Sequence, residues 1–281
     1  MNNHRTGWTS VLRKHYALPS EHGSWIWWIG PLVIGAAAGG EDLSHLPLLA
    51  AAALTVFLLR QPTTILVKVV SGRRSQRDRL PAAIWMVFYG AAALLFAWIL
   101  VALGHGRIIR LAAPGFFVFA WHLYLISQRA ERGQRGIELV GAGVLSLAAP
   151  AAYWITGGQN NRLAWILWAM TWLQAAASIV NVYLRLEYRL LPERPPLPEK
   201  WKRGARDLAY HLFNLATAST LSALDVLPWL LVLGYGLMLV DALEGVLRPP
   251  VGEPPTRIGV RQLISSIAFM IIGALGFVLT T

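Results

Sequence analysis

The sequence predicts an all-α polytopic membrane protein: about nine transmembrane helices in a single domain over residues 1–281. Three observations carry this. Hydrophobic residues make up 56% of the chain and charged residues 14%, with a mean hydropathy of +0.49; soluble domains carry about 25% charge. Apolar runs of spanning length recur along the whole chain. The cations are also one-sided. Of the 25 Lys and Arg residues, only Arg107, Arg110 and Arg162 fall on the other side of the apolar segments; the rest fall on one side or inside a span. The positive-inside rule then places the N-terminus in the cytoplasm and the C-terminus outside a cell inner membrane.

The expected spans run over residues 24–40, 46–70, 80–103, 108–126, 137–156, 163–186, 208–224, 227–247 and 258–280. The chain has 13 Trp residues, a high number, and several sit at segment ends, where amphipathic rings favour the lipid–water boundary. The first span follows a basic start and ends near Ala36-Ala37-Ala38, which also has the form of a cleavable signal segment. Pro31 and Gly35 fit a packed spanning helix, where small residues let neighbours approach. Ahead of it, Ser20 can cap the helix and Glu21 complements its dipole. Alternatively, Glu21 and His22 form a carboxylate–imidazole pair suited to proton transfer or, with further ligands, to a metal. They are the candidate catalytic residues, and no metal site is assigned.

In the second span Arg60 sits near mid-membrane, where a charge costs at least about 2.5–3.5 kcal/mol. It must face protein or water. Pro62 removes a backbone donor and can kink the helix, and Arg60-Gln61-Pro62 is the mid-membrane helix break that a transporter reading would use. Arg60, Thr64 and Lys68 share one face at i, i+4, i+8, a cationic stripe for an anionic group; Lys68 could equally snorkel. His122 and Tyr124 of the fourth span read as packing. The sixth span carries Gln174, Ser178, Asn181 and Arg185 on one face, either a binding stripe or interhelical hydrogen-bond glue. The seventh is polar, with His211, Asn214, Thr217, Ser219 and Thr220, and Asp207 and Tyr210 share the face of His211. Asp241 and Glu244 of the eighth span are candidate counter-ions for Arg60 or Lys68. The Pro-rich stretch 191–207 reads as a stiff extended connector, and residues 249–255 as a shorter one.

Some classes are excluded. With no Cys there is no disulfide, thiolate or Cys-ligated metal. No phosphate-cradling loop, zinc motif or nucleophile elbow occurs. The net charge of +11 would suggest nucleic acid in a soluble protein; here the basic loops hold topology and meet anionic headgroups, so membrane lipids are the expected partners. The sequence specifies no cofactor and no oligomeric state.

The segment HYALPSEHGSW (residues 15–25), the apolar helix with Pro31 and Gly35, Arg60-Gln61-Pro62 and Lys68 together resemble the YwiC-like family of bacterial integral membrane proteins. More distantly, about nine helices with polar ends on the second and sixth are similar to UbiA-type membrane prenyltransferases. That similarity implies Asp-rich motifs holding magnesium and a prenyl diphosphate at those ends. This chain has Lys68, Arg73, Arg74 and Arg77 with only Asp78 at one, and Asn181, Arg185 and Glu187 at the other.

The functional expectation is a cationic, cytoplasm-facing intramembrane site. It binds an anionic amphiphile: an isoprenoid phosphate, a quinone precursor or a phospholipid. Arg60, Thr64 and Lys68 hold the anion, Asn181, Arg185, His211 and Asn214 complete the pocket, and Glu21 and His22 handle a proton if chemistry occurs. The alternatives are a small-solute or ion transporter and a non-catalytic respiratory-complex assembly protein.

Overall fold

The computed structural model describes residues 13–19, 23–40, 42–130 and 135–280. Every regular element among them is helical. The chain divides into two compact units, residues 1–22 with 44–144, and residues 23–43 with 145–281.

The first unit contains α1 (Lys14–Ala17), α3 (Leu46–Val70), α4 (Arg79–Ala102), α5 (Ile109–Ser127) and most of α6 (Arg135–Leu145). α3 packs along α4 and also meets α5. The single turn of α1 lies against both α3 and α4. Its Tyr16 is buried with Ile65, Val69 and Ala82. Burial is thin elsewhere: Val87, Phe88, Leu94, Trp98, Phe116 and Phe117 are all exposed. Such faces suit a lipid solvent, which is as apolar as a protein core.

The second unit contains α2 (Ile26–Gly39), α7 (Ala148–Ile155), α8 (Asn161–Tyr188), α9 (Leu197–Ala223), α10 (Trp229–Leu247) and α11 (Pro255–Val278). α8 is its axis and touches α2, α7, α9, α10 and α11. The Asn160 side chain caps α8, accepting from the backbone N–H groups of Arg162 and Leu163 at 3.0 and 3.2 Å. Ile34, Leu167, Met170, Leu231, Tyr235 and Phe269 belong to one buried core. The buried Tyr235 hydroxyl donates to the Met170 carbonyl at 2.7 Å. α2 and α7 cross backbone to backbone. A Cβ on Gly35 would overlap the Ala149 carbonyl, and one on Gly39 would overlap the Thr156 hydroxyl. The small residues expected to permit close approach do so here.

Among the described residues, seven stretches are long and apolar enough to cross a membrane: Leu46–Val70, Gln76–Ala102, Gly106–Ser127, Gly136–Ile155, Asn161–Tyr188, Trp229–Leu247 and Pro255–Val278. The chain is a multi-span all-α membrane protein. The other two expected spans differ for identifiable reasons. α2 is apolar but only 14 residues long, and α9, which holds residues 208–223 of the other, is polar over much of its length.

Three expectations need correction. The stretch 191–207 is not extended throughout, because α9 begins at Leu197 with Pro196 as its N-cap. Proline is well placed in a first helical turn, where its missing N–H has no intrahelical partner anyway. α3 runs through Pro62 without interruption. The break falls instead between α6 and α7, inside the expected span 137–156. Finally, Tyr124 is 61% exposed and is not a packing residue.

Candidate functional site

In the first unit, Arg60, Thr64 and Lys68 lie half-buried along one face of α3. The Thr64 hydroxyl oxygen is buried and has no hydrogen-bond partner. Its neighbour Thr63 donates to the Leu59 carbonyl at 2.8 Å, one turn back. A buried hydroxyl without such a bond is costly and calls for an explanation. Among the described residues, no carboxylate pairs with Lys68.

The family-like segment is fastened beside this stripe. The Gln61 amide donates to the His15 carbonyl at 2.9 Å. Tyr89 donates to the Ala17 carbonyl at 3.2 Å, and Tyr16 donates to Asp78 Oδ1 at 2.5 Å. Arg74 holds the other oxygen of Asp78 at 2.6 Å. Burial first, then the hydrogen bond to Asp78, pushes the Tyr16 phenol above its ordinary range. The motif thus has three anchors on α3, on α4 and on the turn between them. Glu21 and His22, the candidate catalytic pair, lie outside the described residues.

The second unit gathers the remaining candidates. Gln174, Ser178, Asn181 and Arg185 of α8 are all buried. Gln174 donates to Ser178 at 3.0 Å. Arg185 donates through Nε to Asn181 Oδ1 at 2.6 Å and through Nη2 to the Asp241 carbonyl at 2.6 Å. It is ion-paired with Asp241 at 3.2 Å and with Glu244 at 3.8 Å. Arg261 of α11 closes the network, at 2.7 Å from each of the same two carboxylates. A guanidinium fork suits such multiple pairing. Asn181 also donates to Asp207 Oδ2 at 3.1 Å, and Asp207 Oδ1 lies 3.5 Å from His211 Nε2. Asn214 donates to the Leu173 carbonyl at 2.8 Å.

The expected pairing of Asp241 and Glu244 is therefore corrected. These acids neutralise Arg185 and Arg261, because α10 packs against α8 and α11. The sequence reading assigned them by charge alone. It also missed Gly245, over which the Arg185 guanidinium lies: a Cβ there would come within 2.8 Å of Cζ and Nη2. The available signal was the run Asp241, Glu244, Gly245, two acids on one helical face followed by the smallest residue. Among the described residues, no three His, Asp or Glu side chains are grouped to hold a metal ion.

The comparisons agree with the resemblance seen in the sequence. Residues 18–153 match the family described as YwiC-like protein. The chain is 23% identical over 151 residues to the Bacillus subtilis (strain 168) protein named "Uncharacterized protein YwiC", an alignment covering 53% of this chain and 59% of that one. The chain thus spans under two thirds of that relative's length. No solved structure matches at a significant level, so the likeness to UbiA-type enzymes gains no structural support. The matched region includes Arg60, Thr64 and Lys68 but stops short of Asn181 and everything beyond it.

Proposed function

We propose that the YwiC-like region binds an anionic amphiphile at the α3 stripe, from the cytoplasmic side of a bacterial inner membrane. The carrying observation is the buried, unpartnered Thr64 hydroxyl between two cationic side chains. Thr64 can donate to a phosphate or carboxylate oxygen that Lys68 attracts. Arg60, about 6 Å further along the helix at 1.5 Å per residue, faces deeper polar groups of the same molecule. The exposed apolar faces of α4 and α5 offer a path for its tail. The basic residues following α3, Arg73, Arg74 and Arg77, favour the cytoplasmic leaflet.

Arg185 and Asn181 enter this reading only as structural members, since both are engaged internally. Glu21 and His22, outside the described residues, remain the candidates for proton handling on the grounds of their sequence alone. A small-solute or ion carrier is the second reading, and the interruption between α6 and α7 favours it.

Native mass spectrometry tests the first reading. Wild-type protein, Lys68→Ala and Thr64→Val would be offered phosphatidylglycerol, phosphatidylcholine and undecaprenyl phosphate in detergent. The wild type should retain the anionic lipids preferentially, and both variants should lose that preference. Equal retention by all three proteins sinks the proposal. Proteoliposome uptake separates the carrier reading.

A further inference from the structure

The ion-pair network of α8, α10 and α11 leaves one neighbouring carboxylate outside it. Arg185 and Arg261 face Asp241 and Glu244, cation for anion. Asp207, only 1% exposed, is a third acid in the same region. Its Oδ2 accepts from the neutral amide of Asn181 at 3.1 Å. Its Oδ1 has no hydrogen-bond partner, and 3.5 Å away stands His211 Nε2, also without one. One turn on, the Asn214 Oδ1 is buried and equally unpartnered. These three side chains follow one face of α9 at i, i+4 and i+7, all 0–2% exposed. A buried carboxylate with one neutral donor is unfavourable unless its charge is met.

The geometry points to Asp207 and His211 as a proton-binding pair that holds one proton in the resting protein. That proton sits either on His211 Nε2, giving an imidazolium beside a carboxylate, or on Asp207 Oδ1, giving a carboxylic acid beside a neutral imidazole. Both forms leave the carboxylate charge met; a neutral His211 with its hydrogen on Nε2 could donate to Oδ1 but would leave that buried charge unbalanced. No bond other than N–H or O–H forms or breaks, and the proton exchanges with water. Asn214 Oδ1 offers a second acceptor on the same helical face.

Among the described residues, Arg185 and Tyr188 of α8 interact electrostatically with Asp207, and Arg185 connects the pair to Asp241 and Glu244 of α10 and, through them, to Arg261 of α11. Tyr188 is engaged, donating to the Lys200 carbonyl at 3.1 Å. Arg203 is paired with Glu199. Asn181 is the link to the ion-pair network, because one end of its amide meets Asp207 and the other meets Arg185.

Proton inventory tests this in lipid nanodiscs. Wild-type protein and the neutral pair variant Asp207→Asn with His211→Gln would be taken through an alkaline jump with an indicator dye. The wild type should release about one proton more per chain than the variant. Nitrogen-15 histidine spectra and the infrared carboxylic-acid band at neutral pH should place that proton: either an imidazolium absent from His211→Gln, or an acid band absent from Asp207→Asn. Equal proton release, or a neutral His211 beside an ionised Asp207, overturns the proposal. So does a sodium-dependent signal in place of the proton-dependent one. The double variant removes both ionisable partners together, so it leaves no lone buried charge to unfold the protein. The result is independent of lipid binding at α3, whose residues lie in the other unit.

Discussion

Lys68 of the first unit and the Arg185–Arg261 network of the second are handled in opposite ways. In the second, Arg185 and Arg261 are locked to Asp241 and Glu244, and the Arg185 side chain is buried. In the first, Lys68 has no carboxylate partner among the described residues, the Thr64 hydroxyl is unsatisfied, and α4 and α5 present apolar side chains outward. A charge in hydrocarbon must be met by something. Where the chain supplies the counter-charge, the cation is structural. Where it does not, a ligand from outside can supply it.

Substitutions can break that contrast. The largest effect belongs to Arg185→Ala. It strands Asp241 and Glu244 with only Arg261, and removing one member of a buried pair costs about 3–5 kcal/mol. Unfolding in mixed micelles should show that loss. Next is Gly245→Ala, whose Cβ would press on the pinned guanidinium; overpacking costs about 1–3 kcal/mol, and thermal melting in detergent measures it.

Tyr16→Phe sharpens the contrast from the other unit. It removes the bond to Asp78 and should cost roughly 1 kcal/mol. The sign of its pH dependence follows from the raised phenol. The neutral form is favoured in the folded protein, so the stabilisation is complete below the ordinary tyrosine range and is lost as pH rises above it. Tyr16→Phe should flatten the alkaline limb of a stability–pH profile and leave the neutral range unchanged in shape. The smallest stability effect belongs to Lys68→Ala, within about 0.5 kcal/mol as for a surface substitution. Its binding effect should be about five-fold, since a basic residue at an anionic headgroup contributes ~1 kcal/mol, and lipid retention reads it.

Hydropathy located the helices well because spanning length is a direct physical requirement: Leu46–Val70 was placed residue for residue, and Asn161–Tyr188 within two residues at either end. The start of α9 was hidden because Pro192, Pro195, Pro196 and Pro198 read alike as connector, although only tertiary packing decides which proline opens a helix. The faces of α8 and α9 were readable from i, i+4 spacing, and the structure brings Asn181, Asp207 and His211 together as that spacing suggested. Which acid meets which cation was not readable. Asp241 pairs with Arg185 from 56 positions away, and that depends on helix neighbours rather than on any local pattern. The Tyr16 anchor was hidden for the same reason, since Asp78 lies 62 positions from it.

The central claim is that the α3 cations serve a ligand and the α8–α11 cations serve the fold. Counting phosphatidylglycerol bound per chain in wild type, in Arg60→Ala with Lys68→Ala, and in Arg261→Ala tests it most directly. The account predicts loss of bound lipid in the α3 variant alone, with Arg261→Ala weakened only in stability. Full lipid retention by the α3 variant, or equal loss in both, would contradict it.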